Sequence, residues 1–308
     1  MKALVIVHPG AGKGDTHDAL HEALALHFTA AGIEYEVHEK LEERRPGEIV
    51  RSRLRDGFDL VVVAGGDGTV SSVFDGLHGS SIPVGIIPTG TGNLIAREFG
   101  IPTGVDEAVA LVAGTPRSLR IDAMKIGERV FVLNVGVGIS AAVIAGTTGR
   151  SKRRFGRIAY FATAFRIFRF LPRPVEVTVD GQTRRYRAVE VAISNCGILA
   201  KMMYPKGPDI RADDGHVDVW VLGMKSFFDY VRYLSGIVFG WRSHAQYFIA
   251  ARSVAVTSRV PMTVQADGDI VGTTPLQVEV LPGALTVLVP GPPPGADATR
   301  SDIPRQPQ

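Results

Sequence analysis

The chain has 308 residues, 45% of them hydrophobic and 21% charged, with a formal net charge of +3. This composition excludes an intrinsically disordered protein, and the length exceeds what one hydrophobic core usually supports, so we expect two domains. The single cysteine, Cys196, excludes an internal disulfide framework and is typical of a protein of the reducing cytoplasm.

In the first 122 residues, short apolar runs alternate with segments of helical periodicity. Strands are predicted at 3–7, 34–39, 60–64 and 84–87. Helices are predicted at 18–31, 46–54, 69–77, 94–99 and 105–112. Strands separated by helices predict an α/β/α domain, with a parallel sheet that is covered on both faces.

After residue 122 the pattern changes to short β-type runs separated by turn residues, which predicts a β-sandwich domain. These runs lie at 129–135, 175–179, 186–194, 217–222, 253–257, 262–266, 276–280 and 285–289. Two helical insertions are expected, at about 157–170 and 226–239. We therefore predict a nucleotide-binding domain at 1–122, a β-rich substrate domain at 123–290 and a disordered tail at 291–308.

Two apolar stretches have some features of targeting or membrane-spanning segments. The run at 3–7 is too short for a signal peptide. The charge-free stretch at 130–149 contains four glycines and several polar residues, whereas a spanning helix needs a more continuous apolar run. No transmembrane helix is predicted.

The strongest local motif is Gly65-Gly66-Asp67-Gly68-Thr69, which directly follows the predicted strand at 60–64. Glycines let the backbone approach phosphate oxygens closely, and the start of the following helix presents N–H donors to an anion. Asp67 is suited to position Mg²⁺ or to accept a proton from an attacking hydroxyl. An ordinary strand-to-helix turn needs neither three glycines nor a carboxylate, so the motif favours a phosphate-binding turn.

Two further glycine-rich segments follow predicted strands. One contains Thr89, Gly90, Thr91, Gly92 and Asn93. The other contains His8, Gly10, Gly12 and Lys13. The carboxyl ends of parallel strands meet at the edge where α/β sheets bind ligands, so the three segments together predict a composite nucleotide site. The alternative for Lys13 is a solvated loop cation, since the spacing of a Walker A loop is absent.

HPGAGKG at 8–14, GGDGT at 65–69 and PTGTGN at 88–93 together resemble the diacylglycerol kinase catalytic family, which includes bacterial diacylglycerol kinases and sphingosine kinases. The resemblance covers nearly the whole chain, continuing through Asp122, 157–160, 213–218 and 267–269. It implies a two-domain fold like that of NAD kinases and phosphofructokinases. It also implies an ATP- and Mg²⁺-dependent lipid kinase that acts on a diacylglycerol-like or sphingoid-like hydroxyl.

The resemblance assigns roles to individual residues of this chain. As polar contacts to the nucleotide it implies Thr69, Thr91 and Asn93. As catalytic carboxylates it implies Asp67, Asp122 and Asp269, with Asp269 as the general base. As ligands of a structural Mg²⁺ it implies Asp213 or Asp214 with nearby backbone carbonyls, since oxygen ligands suit that ion.

Two positions depart from the family pattern. His8 stands where the family usually has Asn, which leaves the nucleotide contact made there open. Asp269 stands where Glu is usual and is one methylene shorter. Because a general base must first reach its proton, Asp67 remains an alternative base.

The segment 150–173 contains eight basic residues and no acidic ones, interleaved with Phe and Tyr. This combination predicts an element at an anionic membrane surface, and hence a peripheral protein on the cytoplasmic face of the membrane. A core-packed helix with a solvated basic rim is the alternative. No DNA- or RNA-binding motif accompanies the segment, so no nucleic-acid partner is expected.

Two other functions stay open from the sequence. The first is a kinase of a soluble acceptor, NAD above all, because NAD kinases share GGDGT. The second is a non-catalytic nucleotide-binding or lipid-sensing relative, for which Asp269 is the only support. The identity of the acceptor lipid is not predicted, and neither is the oligomeric state, for which a homodimer is one option.

Overall fold

The computed structural model describes residues 1–8, 15–39, 44–146, 172–203, 208–223, 229 and 245–291. The chain forms two compact units. The first comprises Met1–Asp122 together with the chain from Gly283 onward, and the second comprises Ala123–Pro282. The sequence predicts a second domain that ends at residue 290; in the structure the chain returns to the first unit at Gly283, and its last described strand pairs with the parallel sheet at Val287.

The first unit alternates strands and helices. Its strands are β1 (Lys2–Val7), β2 (Glu34–His38), β3 (Leu60–Gly65) and β4 (Val84–Pro88). Its helices are α1 (Asp15–Ala30), α2 (Pro46–Arg53), α3 (Asp67–Leu77), α4 (Leu94–Glu98) and α5 (Val105–Ala113). The four strands pair in parallel in the order β2-β1-β3-β4, and the end of the last strand of the chain adds to β4 through Val287 and Val84.

Both faces of this parallel sheet are buried, as the apolar runs predicted. On one face, alternate residues of β1 and β3 pack with apolar side chains of α1 and α5, among them Leu24, Phe28 and Val109. On the other face, Leu4 and Ile6 are equally buried. There α3 packs on β3 and against α2, and the two helices approach so closely at Gly47 and Gly76 that a Cβ on Gly76 would lie 2.7 Å from the Gly47 Cα.

The second unit contains mostly short strands. They are β6 (Arg129–Phe131), β7 (Asn134–Gly138), β8 (Arg173–Val179), β9 (Gln182–Ala188), β10 (Glu190–Ser194), β11 (Val217–Leu222), β12 (Gln246–Ala250), β13 (Ser253–Ser258), β14 (Thr263–Ala266) and β15 (Asp269–Thr273). In its described residues it has two helices, α6 (Ile139–Gly146) and α7 (Gly197–Met203). Two further strands, β5 (Arg117–Ile126) and β16 (Leu276–Val289), run through the boundaries between the units.

The second unit is an antiparallel β-sandwich, which confirms the predicted fold class. One sheet has the order β12-β11-β10-β7-β14-β15, and β16, β13, β8 and β9 form the main part of the other. Valine and isoleucine side chains from both sheets form its core, among them Val135, Ile193, Val177 and Val256. The predicted helical insertions at 157–170 and 226–239 and the predicted tail at 291–308 lie outside the described residues, apart from residues 229 and 291.

Candidate active site

The GGDGT motif forms the turn between β3 and α3. Gly66 is the N-cap, and its carbonyl oxygen accepts hydrogen bonds from the N–H groups of Thr69 (2.9 Å) and Val70 (3.1 Å). The helix therefore begins at Asp67, two residues earlier than predicted, and the N–H groups of Asp67 and Gly68 form its positively polarised start. A Cβ on Gly65 would lie 2.7 Å from the Thr69 Cβ, so the buried Thr69 side chain requires glycine at that position.

The turn after β4 is closed by one side chain. Asn93 accepts a hydrogen bond from the Gly90 N–H through Oδ1 (3.0 Å) and donates one from Nδ2 to the Gly90 carbonyl oxygen (2.8 Å). Asn93 adopts a left-handed conformation (φ 49°), which asparagine tolerates better than most residues, and it is the N-cap of α4. The predicted contact of Asn93 with nucleotide stays a prediction, and this geometry gives the residue an architectural role.

The two turns are packed directly on each other. The Thr89 N–H donates to the Gly65 carbonyl oxygen (3.2 Å), and a Cβ on Gly90 would lie only 2.5 Å from the Gly66 Cα. Only two glycines allow the backbones to approach this closely. The structure therefore brings together the predicted segments 65–69 and 88–93.

The Asp67 carboxylate is fixed across this contact. Its Oδ1 accepts a hydrogen bond from the Ile95 N–H in the first turn of α4, at 3.0 Å. Its Oδ2 lies beside Gly92, where a Cβ would be 3.0 Å away. Because the Ile95 N–H holds one of its oxygens, the half-buried carboxylate has a defined direction at the surface of the turn.

A buried hydroxyl group supports a ligand site at these turns. Among the described residues, Thr89 Oγ1 has no hydrogen-bond partner although the atom is buried. A buried hydroxyl without a partner is destabilising, and an acceptor such as a phosphate oxygen would satisfy it. With the start of α3 nearby in the same pair of turns, the residues present fit a bound phosphate group. Thr91 is exposed on the same turn.

The first glycine-rich segment is described only at its start. The His8 N–H donates to the Ala64 carbonyl oxygen (3.0 Å), which places the end of β1 beside the end of β3. Gly10, Gly12 and Lys13 lie outside the described residues, so their predicted contacts with nucleotide stay predictions.

The two carboxylates of the Asp267-Gly268-Asp269 turn in the second unit differ sharply. The Asp267 carboxylate accepts three hydrogen bonds, from the N–H groups of Val132 (2.9 Å), Leu133 (2.9 Å) and Asn134 (3.0 Å). The Asp269 side chain is 61% exposed, and its Oδ2 accepts a hydrogen bond from Arg129 Nη2 at 3.2 Å. Asp267 thus holds the preceding chain in place, and Asp269, the predicted base, is the carboxylate that solvent and ligands can reach.

Asp122, predicted as a supporting carboxylate, is buried at the end of the first unit. Its Oδ1 accepts a hydrogen bond from the Gly283 N–H at 2.7 Å. Arg120 donates to the Gly283 carbonyl oxygen from Nε (3.0 Å) and Nη2 (2.6 Å). These contacts give Asp122 a role in fixing the point where the chain returns to the first unit.

The predicted magnesium ligands form a tight turn. Both oxygens of Asp213 accept hydrogen bonds from Arg211, at 2.9 and 3.1 Å. Asp214 Oδ1 accepts one from the His216 N–H at 3.2 Å. The metal site at Asp213 or Asp214 stays a prediction, and Mg²⁺ binding through Asp213 would require that carboxylate to release Arg211.

One buried carboxyl group of the second unit was missed in the sequence. Glu190 begins β10, is fully buried, and accepts hydrogen bonds from the Ser140 N–H (3.0 Å) and the Ser140 hydroxyl (2.5 Å) at the start of α6. Burial raises the pKa of Glu190 to about 7, against the lowering effect of these hydrogen bonds. An isolated acidic residue in an otherwise apolar strand is the sequence signal that could have identified it.

The comparisons with known proteins agree with this architecture. Residues 2–126 match the model of the diacylglycerol kinase catalytic domain, and residues 133–289 match that of the YegS C-terminal NAD kinase beta sandwich-like domain. The chain belongs to the diacylglycerol kinase catalytic-domain family.

Relatives of this family align over nearly the whole chain. A diacylglycerol kinase of Mycobacterium tuberculosis (strain H37Rv) is 28% identical over 301 residues, covering 94% of this chain and 95% of its own length. A diacylglycerol kinase of Bacillus subtilis (strain 168) is 25% identical over 284 residues, covering 89% and 91%. A crystal structure of a Bacillus anthracis diacylglycerol kinase matches with a TM-score of 0.73 and 26% identity, covering 94% of this chain and 96% of that one.

Within the described part of the chain, no helix combines the length and apolar character needed to cross a bilayer.

Proposed function

We propose that this chain is an ATP-dependent lipid kinase that transfers the γ-phosphoryl group to a hydroxyl of a diacylglycerol-like acceptor. The observation that carries the proposal is the pair of glycine turns, 65–69 and 88–93, packed backbone to backbone with Asp67 fixed between them. Diacylglycerol kinases that align over about nine-tenths of the chain support the lipid acceptor.

The nucleotide would be held by backbone groups and short polar side chains. The N–H groups of Asp67 and Gly68 at the start of α3 suit a phosphate oxygen, and the buried Thr89 hydroxyl can donate to another. Mg²⁺ bound with ATP would neutralise charge on the phosphates. In-line phosphoryl transfer depends mainly on positioning and charge neutralisation, which a preformed pair of turns provides.

Two carboxylates remain candidates for the group that accepts the proton of the lipid hydroxyl. Asp67 is favoured by its fixed direction, because Ile95 holds one of its oxygens. Asp269 is favoured by its exposure, although its partner Arg129 must be displaced or shared. Substitution of each carboxylate separately, described below, distinguishes the two.

We also propose that the kinase works at an anionic membrane surface on the cytoplasmic side. A diacylglycerol acceptor resides in a bilayer, so the enzyme must reach it there. The proposal rests on the basic and aromatic sequence at 150–173, of which only residues 172–173 are described. At roughly 1 kcal/mol per basic side chain near the surface, four engaged residues would produce substantial binding. Co-sedimentation with vesicles tests this, and binding that is indifferent to anionic lipid would contradict it.

The activity itself is tested with radiolabelled ATP and Mg²⁺. The purified chain is incubated with diacylglycerol in mixed micelles, with a total lipid extract, and with NAD as a soluble acceptor. Label in a lipid product is expected. Label in NADP instead would establish the kinase of a soluble acceptor, and ATP binding without transfer to any of these acceptors would establish a non-catalytic relative.

A further inference from the structure

Two histidines and a glutamate meet on the first unit at a place that the kinase reaction does not use. His17 and His21 lie on α1, and Glu39 directly follows β2. Glu39 Oε1 is 3.3 Å from His17 Nε2 and 2.8 Å from His21 Nε2. In the described part of the chain, this is the one set of three His, Cys, Asp or Glu residues whose ligand atoms all lie within 4.8 Å of one another.

The local fold explains why these side chains converge. Residues four apart on a helix lie on the same face, one turn above the other, so the two imidazoles are neighbours, with ring centroids 4.5 Å apart. Helix α1 connects β1 to β2, and the two strands pair in parallel. The chain after β2 therefore ends beside the beginning of the helix that precedes it, which is where the histidines are.

The ligand types and distances suit a borderline transition metal ion. Two histidines at this spacing on a helix are a known arrangement for Zn²⁺, and three protein ligands leave one position for water. Zn–N and Zn–O bonds of about 2.0 to 2.2 Å place neighbouring ligand atoms of a tetrahedral site roughly 3.3 to 3.5 Å apart. The distance from Glu39 to His17 already has this value, and the distance to His21 requires an opening of about 0.5 Å.

The accessibility of the cluster permits an ion to enter. The side chains of His17, His21 and Glu39 are 43%, 39% and 42% exposed, so burial does not prevent an ion from reaching them. Without an ion, the contact between Glu39 and His21 is a hydrogen bond, so the unit does not need metal to assemble this corner.

We propose that His17, His21 and Glu39 bind one Zn²⁺ ion, or another divalent ion with the same preference for imidazole, at the surface of the first unit. The ion links the first two turns of α1 to the end of β2. The proposal is independent of the kinase activity, since none of the three residues belongs to the glycine-rich segments at 8–14, 65–69 and 88–93.

Calorimetric titration with ZnCl₂ tests the proposal, using the full chain without a histidine tag. The titration is done near pH 7.5, because histidine ligands must be neutral to bind. One site per chain is expected. His21→Ala and Glu39→Gln should each weaken it at least about tenfold, the loss seen even for residues that only support metal ligands. Mg²⁺, which prefers oxygen ligands, should not compete at equal concentration.

His27→Ala provides the matched control. His27 lies on the same helix and its Nε2 is 2.9 Å from Asp106 Oδ1, but the described structure places no third ligand there. This variant should bind Zn²⁺ like the parent chain. Circular dichroism of each variant shows whether it is folded. If His21→Ala does not fold, the proposal is decided by Glu39→Gln, which keeps the size of the side chain.

Protection of histidines from diethyl pyrocarbonate, mapped by mass spectrometry, provides a second measurement. Zn²⁺ should protect His17 and His21 and leave His27 reactive. Absence of a stoichiometric site in the parent chain, equal binding by Glu39→Gln, or equal protection of all three histidines would overturn the proposal.

Discussion

The glycine-rich turn of the first unit and the Asp-Gly-Asp turn of the second use carboxylates in opposite ways. In the first, one carboxylate both joins two turns and faces outward, because Asp67 gives one oxygen to the Ile95 N–H. In the second, the tasks are divided, since Asp267 accepts three backbone N–H groups and Asp269 is exposed. The partners of the oxygens, more than the motif, therefore indicate which carboxylates maintain the structure and which are available for chemistry.

The largest effect on stability is expected for Asp267→Ala. The change removes three hydrogen bonds to a charged group, each contributing about 1.5 kcal/mol, so the free energy of unfolding should fall by about 4 kcal/mol. Urea denaturation measures this. A loss below about 1 kcal/mol would show that water replaces the carboxylate and that Asp267 is not the structural member of the pair.

Glu190→Gln sharpens the comparison, because Glu190 is a buried carboxyl that accepts its hydrogen bonds from Ser140 and the neighbouring Ile139 backbone at the start of α6. Its pKa in the folded state is about 7, above the ordinary value of 4.5. The unfolded chain therefore loses this proton first, and the parent protein should lose stability as the pH rises from about 4.5 to 7. Gln cannot ionise, so the variant should gain about 3 kcal/mol relative to the parent between pH 4.5 and pH 8. Urea denaturation at both pH values tests this, and a constant difference would contradict it.

Asp67→Asn separates the two tasks of Asp67. The Asn side-chain oxygen can still accept from the Ile95 N–H, but the negative charge is lost, so the fold should remain while turnover falls at least about a hundredfold, or about 2.7 kcal/mol in the barrier. Asp67→Ala should show the same fall in turnover, and it should also lose the hydrogen bond with the Ile95 N–H of α4. Initial rates with ATP and diacylglycerol, compared with thermal unfolding, measure both. Near-normal turnover in either variant would remove Asp67 from the mechanism.

The smallest effect on stability is expected for Asp269→Ala. Its exposed contact with Arg129 contributes little, so the free energy of unfolding should change by less than about 0.5 kcal/mol. The same variant tests the base, since a hundredfold loss of turnover without a loss of stability would assign that role to Asp269. If Asp67→Asn is inactive and Asp269→Ala is active, Asp269 is excluded as the base, and Asp67 acts either as the base or in positioning Mg²⁺.

Local sequence pattern predicted most of the first unit. The runs at 60–64 and 84–87 became β3 and β4 because fully apolar segments between turn residues suit a sheet buried on both faces. The start of α3 was placed two residues late, since the sequence does not show that the Gly66 carbonyl oxygen accepts the first helical hydrogen bonds. The contact between Gly66 and Gly90 joins residues distant in the chain, and no local pattern encodes it.

The sequence predicted the fold class of the second unit, but it predicted the bounds of the individual strands less well. The run at 186–194 predicts one strand, whereas β9 and β10 are separate and pair with different neighbours. Conversely, β16 continues through Pro282-Gly283, a dipeptide that predicts a turn. The sequence analysis did not predict strand β5, because its first four residues, Arg-Ser-Leu-Arg, lack the β-branched residues that mark strands. Strand bounds here depend on pairing partners, which a single sequence does not reveal.

The close packing of Gly66 against Gly90 affects how a ligand would bind at the two turns. Because the Thr89 N–H donates to Gly65 and the Ile95 N–H of α4 donates to Asp67, contacts within the protein hold the proposed phosphate site in its arrangement before a ligand binds. The entropy cost of ordering the two turns therefore falls on folding. It does not reduce the affinity for a ligand, as the immobilisation of loops and side chains on binding usually does. A bulky residue at position 90 would push the two turns apart. It should slow the binding of nucleotide even when every polar group is kept.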